Sequence, residues 1–188
     1  MKRFFFIILS FAALSCAHDP ESPIINDNAL RATSWAQIPL FIEQAIEGKS
    51  IVLYDSLLAD DFIFHFNPRD VARNPDLQPS WKKEREIQSV SGLFDDALIG
   101  KISVDWVVGS LIDSPIAGCN GRVVLSDLDM RVPRGREDGV VDTFRVGGEF
   151  VLDLKEMPWL DEYGNSVWKV VAWWERSQPM KPGPQCIK

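Results

Sequence analysis

His65 is the side chain best placed by type for acid–base chemistry. An imidazole titrates near neutral pH, and Asp60, Asp61, Arg69 and Asp70 all stand within five residues of it. Its phase argues the other way. His65 alternates with Phe62, Phe64 and Phe66, so a strand that buries those three rings turns the imidazole to the opposite face. A structural or exposed role therefore fits His65 better than a catalytic one. Asp105, Arg145, Glu149 and Glu175 fall in strand-like segments, either on a pocket wall or on the solvent face. Other chemistries lack their residues. No Gly-x-Ser-x-Gly nucleophile turn and no Gly-x-Gly-x-x-Gly phosphate loop occurs. With two His, and no Cys or His at ligand spacing, no metal site is expected, nor any cofactor.

Binding is better provided for than catalysis. Trp106, Phe144, Phe150 and Trp173 are candidate ligand-binding residues, with Trp168 and Trp174 nearby in sequence, because flat apolar ligands are held by stacking and burial. Plain core packing is the competing reading. Trp173 and Trp174 cannot both face one side of a strand, so one of them lies outside the main core layer or in an apolar concavity. Arg131, Arg134 and Arg136 make a small basic cluster, but Glu137 and Asp138 follow at once, as in a solvated hairpin tip.

The whole chain bounds the partners. Its 188 residues, 46% apolar and 25% charged, are the composition of one globular domain. Acidic residues outnumber basic ones by 27 to 20, which disfavours the concentrated positive face that nucleic acid requires, and no nucleic-acid partner is expected. Met1-Lys2-Arg3 followed by an apolar run over residues 4 to 14 reads as a secretory signal, too short to span a bilayer. Ala13-Leu14-Ser15-Cys16 resembles the bacterial lipoprotein cleavage box, with Ala13 where Leu is commoner, and so implies a lipidated Cys16. Ala17 follows, where Asp would resemble an inner-membrane retention signal. The resemblance thus points to the periplasmic face of the outer membrane, with the membrane as partner through acyl chains such as palmitate. Loss of residues 1–15 leaves 18 basic against 27 acidic residues, a net charge of −9. Cys119 and Cys186 then remain, either as a disulfide pair of an exported domain or as a turn residue and a tail residue.

Hydrophobic period divides the rest. Residues 16–32 read as a tether, 33–178 as the domain and 179–188 as a tail. Trp35, Ile38, Ile42, Ala45 and Ile46 share a helix face, with Pro39 marking either a kink or the start of its regular part; Gly48 ends it. Ser50 caps a second helix whose buried side is Val52, Leu53, Leu57 and Leu58. Residues 62–66 form a strand, a proline-bearing loop follows, and residues 81–95 make a third helix behind Ser80. From residue 98 the period becomes two. Strands are expected at 102–108 and around Val124, Leu128, Met130 and Val132. Two more follow, from Phe144 to Leu154 with Gly147-Gly148 inside, and over 167–176. Short turns between them imply an antiparallel meander, and the glycine pair lets it bend into a concavity.

This order of elements, with LLADDFIFHF in the first strand and WKVVAWWER in the last, resembles the nuclear transport factor 2-like superfamily, including SnoaL-like domains, over residues 33–178. The resemblance implies an α+β fold, a cone-like and strongly curved antiparallel sheet packed on about three N-terminal helices. In that superfamily the cone serves binding modules, isomerases and dehydratases alike. Two functions follow as expectations: a lipid-anchored domain holding a small apolar ligand or a partner protein in the cone, or a cofactor-independent isomerase or dehydratase using acid–base chemistry there.

Overall fold

A computed structural model describes residues 31–136 and 139–176. The signal segment, Cys16, most of the tether, Cys186 and the tail lie outside the described residues. In α1 (Gln37–Glu47), Ile38, Ile42 and Ala45 are fully buried. Pro39 is its third residue, where a helix has no acceptor for the backbone N–H, so the proline starts the helix and does not kink it. The Ser50 hydroxyl accepts from the Leu53 N–H at 3.3 Å and caps α2 (Ile51–Leu57). Val52 is 52% exposed, against expectation, and Tyr54 is buried beside Leu57 because its hydroxyl finds a buried acceptor, Glu86.

Strand β1 (Leu58–His65) buries Phe62 and Phe64, with Phe66 just beyond its end, and leaves His65 on the other face. The segment that follows is not all loop. Asn67 accepts from the Arg69 N–H at 3.0 Å, Pro68 occupies the first turn, and a short α3 (Pro68–Arg73) forms. Ser80 does not cap a helix either. It belongs to β2 (Ser80–Lys82), which sets Trp81 opposite Phe64, and α4 (Lys83–Asp95) begins only after it. Among the described residues the helices therefore number four, with α3 a single six-residue piece.

The expected strand at 102–108 is mostly irregular. Only β3 (Val107–Val108) is regular, although residues 99 to 112 track β4 through bridges at Ile99, Ser103 and Ile112 and still bury Ile102 and Val104. In β4 (Gly121–Gly135) a bulge lies between Leu125 and Leu128, with Asp127 at φ 53°. One extra residue flips the side-chain phase. Val123 and Leu125 point inward before the bulge, Leu128 and Val132 after it, and Val124 does not share their face as the sequence pattern implied. Gly148 and Gly147 of β5 (Val141–Leu160) pair with Leu128 and Asp129 right after the bulge, and a Cβ on Gly147 would stand 3.3 Å from the Leu128 carbonyl oxygen. Both strands therefore bend at one level.

With β6 (Ser166–Arg176) the sheet runs β2-β1-β6-β5-β4-β3, curved and unclosed. All neighbours are antiparallel except β1 and β6, whose parallel pairing needs the long crossover that the rest of the domain between them supplies. The helices cover one face. There Ile38, Ile42, Tyr54 and Leu57 pack on Phe62, Phe64, Val123, Leu125, Leu152 and Trp173. Among the described residues no helix is long and apolar enough to cross a membrane.

Candidate functional site

The outer face holds His65. Its ring stacks on Trp174 with centroids 3.6 Å apart and planes 3° from parallel. The Trp174 indole donates to Asp153 at 2.8 Å, Arg122 grips the same carboxylate through two bonds of 2.7 and 2.8 Å, and the Ser114 hydroxyl donates at 2.6 Å. Burial raises the Asp153 carboxyl, but these donors outweigh it and hold the group below the ordinary range. Partial burial lowers His65, and the carboxylate that pulls it back is Asp153, not the sequence neighbours Asp60, Asp61 or Asp70. Asp60 lies instead beside Lys83 at 3.8 Å. Every polar atom of Asp153 is engaged by protein, so this cluster reads as a structural clamp. Cys119 is half-buried near it, its thiol pushed up by burial and by the Asp153 charge. The basic cluster is likewise matched: Arg131 meets Asp129 at 2.7 Å, Arg134 meets Asp96 at 3.3 Å and Arg136 meets Asp142 at 3.8 Å.

The helix-covered face is chemically different. Phe64 lies edge-on to Phe66 at 4.9 Å, Phe66 to Trp81 at 4.6 Å, and Phe150 to Trp173 at 5.3 Å, making an aromatic wall. Trp106 packs against the same core as Phe150 and Trp173, so three of the four candidate binding residues are brought together. Phe144 is not. It is 44% exposed on the arm of the β4–β5 hairpin beyond the glycine bend.

Two carboxyl groups interrupt this wall. Glu86 of α4 is buried and accepts from the Tyr54 hydroxyl and the Trp81 indole, each at 2.7 Å; burial still raises its carboxyl above the ordinary range. Glu175 pairs across from Phe150 and stands two residues after Trp173, hence on the same face. It accepts from the Asn67 N–H at 3.2 Å. Burial first, then the negative charges of Asp70 and Glu86, push its carboxyl up to about 7 against that one donor. Two residues before it on β6, the buried Trp173 indole N–H has no hydrogen-bond partner among the described residues. A buried donor without a partner costs about 1–3 kcal/mol, so a ligand acceptor reaching it recovers that cost.

Sequence reasoning left the face of Glu175 open and read Glu86 as one of the alternating charges of an amphipathic helix. The usable signal was the alternation in Trp173-Trp174-Glu175: once Trp173 faces inward, Glu175 must as well. Nothing in the sequence pairs Glu86 with Tyr54, which lies 32 residues away. Among the described residues no three of His, Cys, Asp and Glu stand together as a metal site would need.

No protein-family profile and no curated protein sequence matches the chain. Solved structures do. A proposed aromatic ring hydroxylase from Novosphingobium aromaticivorans is similar over 77% of this chain and 87% of its own, at 13% identity and a TM-score of 0.50. A nuclear transport factor 2-like protein of unknown function in nutrient uptake from Rhodospirillum rubrum is similar over 78% and 99%, at 15% identity and a TM-score of 0.46. A proposed scytalone dehydratase from Novosphingobium aromaticivorans is similar over 77% and 81%, at 8% identity and a TM-score of 0.49. At these identities the likeness is one of fold. With its helices on one face of a bent six-stranded sheet whose first long strand lies parallel to its last, the chain shares the fold of the first of these structures.

Proposed function

We propose that this chain is a lipid-anchored domain, held by Cys16 at the periplasmic side of the outer membrane, whose helix-covered sheet face binds a small, flat, largely apolar ligand bearing one hydrogen-bond acceptor. The observation that carries the reading is the Trp173 indole N–H, buried without a partner in an aromatic wall. Glu175 supplies a second polar contact. Below about pH 7 its carboxyl is neutral and can donate to the same acceptor, whereas above that it is an anion that repels one. Phe150, Trp106 and Phe64 supply the apolar contact. Held near neutrality, Glu175 is also suited to move a proton on a bound carbonyl compound, which favours the isomerase or dehydratase reading as the second choice. A partner protein seated on the same face is the third.

Prodan, a flat naphthyl ketone whose emission reports its surroundings, tests the binding claim. The protein should bind it saturably with a blue shift at pH 6, and Trp173→Phe, which keeps an aromatic ring but removes the N–H together with the pyrrole ring, should weaken binding about tenfold. No saturable binding, or equal binding by the variant, overturns the reading. In the same complex, deuterium uptake at the carbon beside the ketone that vanishes in Glu175→Gln while binding persists would select the enzymatic reading over simple binding.

A further inference from the structure

The turn joining β5 to β6 exposes Trp159, Leu160 and Tyr163, at 40, 61 and 74% of their surface. None of the three packs against the core clusters. The turn that presents them is well built. Asp161 accepts from the N–H groups of Tyr163 and Asn165 at 2.9 and 2.8 Å, and Gly164 takes φ 80° to close it. The Asp161 carboxylate is thereby directed into its own turn, held below its ordinary range chiefly by those backbone and amide bonds of Asn165. Two cations flank the Trp159 ring: the Arg31 guanidinium and the Lys169 ammonium each lie 5.8 Å from its centre. Arg31 is also where the described chain begins. The Trp168 N–H donates to the Ala32 carbonyl at 2.8 Å and fastens this entry point onto β6, so residues 16–30 join the domain beside the aromatic turn.

We propose that the β5–β6 turn is a membrane-docking surface, with Trp159, Leu160 and Tyr163 entering the headgroup layer of a phospholipid leaflet while Arg31 and Lys169 meet its phosphates. The proposal rests on the reading of Cys16 as the lipidated anchor. Indole and phenol rings settle at bilayer interfaces because one end of each is apolar and the other polar. The tether read from the sequence, its 15 residues 16–30 taken as a random coil, would span roughly 20 Å root-mean-square and hold the turn near the surface at ~mM effective concentration. A contact too weak to recruit a free protein is then well populated. The mature net charge of −9 opposes approach to a phosphate-rich surface by most faces of the domain, whereas this one presents Arg31, beside Asp161, and Lys169, whose ammonium donates to the Leu58 carbonyl at 3.4 Å and faces Asp60 and Asp55. Another exposed apolar stretch, Val140, Val141 and Phe144, lies at the opposite end of β5 from the tether entry, and a third is Val107, Val108 and Ile112.

The test uses the full chain, expressed with its leader, extracted from membranes and reconstituted in 3:1 phosphatidylethanolamine and phosphatidylglycerol vesicles with brominated acyl chains. Bromine quenches indoles that enter the bilayer surface. A quenched component of the emission is expected in the unaltered chain, and it should disappear in Trp159→Phe and shrink severalfold in the Leu160→Glu, Tyr163→Glu double variant. Equal quenching in all three, or none in any, overturns docking. The intact mass of the same preparation reads the anchor separately. Acyl mass on Cys16 without quenching at Trp159 removes the docking surface and leaves the anchor standing. A chain without acyl mass removes the anchor, and with it the docking proposal that rests on it.

Discussion

Glu175 is an acid whose surroundings favour its neutral form, and that has a consequence for stability. Its folded value of about 7 lies above the unfolded value near 4.5, so between those limits the folded state binds more protons than the unfolded one. The stabilising contribution is full below about pH 4.5, falls as pH rises, and is gone above about pH 7. Glu175→Gln keeps the shape without the ionisation. It should therefore stabilise the protein relative to the unaltered chain at pH 8, by roughly 2 kcal/mol, and make little difference at pH 4.5, as read by urea unfolding at the two values. Equal effects at both would show that the carboxyl is not perturbed. Glu86 is held differently. With Tyr54 and Trp81 donating to it, both oxygens are occupied, and its place is to fix α4 against β2 and α2. At this scale the sequence was legible where period decides a face, as for His65 against its three phenylalanines. It was silent where a long-range partner decides, as for Tyr54, whose burial depends on a carboxylate from α4.

The elements show what a single inserted residue does. The phase of β4 reverses at Asp127, so the alternation that placed Val124 with Leu128 and Val132 fails across it, while each half is correct by itself. Asp127 at φ 53° is one of the few side chains that tolerate the left-handed region, because its short carboxylate can bond locally. Asp127→Val should cost about 1–2 kcal/mol, whereas Asp127→Gly should be neutral or slightly stabilising; thermal unfolding of the two variants separates backbone strain from loss of the carboxylate. If both variants lost the same stability, the carboxylate and not the backbone would be what matters. Long periodic elements such as α1 and β6 were readable from the sequence to within a few residues, whereas β5 runs six residues past the expected end at Leu154. The short α3 and β2 were not, since each is set by one local bond or one pairing: the Asn67 cap in the first, the placement of Trp81 beside Phe64 in the second.

For the whole molecule, the bent sheet was foreseeable from Gly147-Gly148 and the order of elements, yet the place of Phe144 was not. The same bend that gathers Phe150, Trp173 and Trp106 carries the outer arm of β5, and Phe144 with it, away from the core. The two ends of the sheet also divide the work proposed for this protein. An aromatic wall with one orphan donor lies under the helices, and an exposed aromatic turn lies beside the tether. These are separable, since Trp159 and Trp173 belong to different surfaces. The ligand claim rests most directly on the Trp173 N–H, and nuclear magnetic resonance of the indole groups reads it alone. The chain has seven tryptophans, and the Trp173 signal is identified by its loss in Trp173→Phe. On titration with prodan at pH 6 the Trp173 indole proton should move saturably downfield, as a new hydrogen bond forms, and the change should weaken above pH 7 as Glu175 ionises. Prodan bound while that proton stays still, or no binding at either pH, would contradict the account.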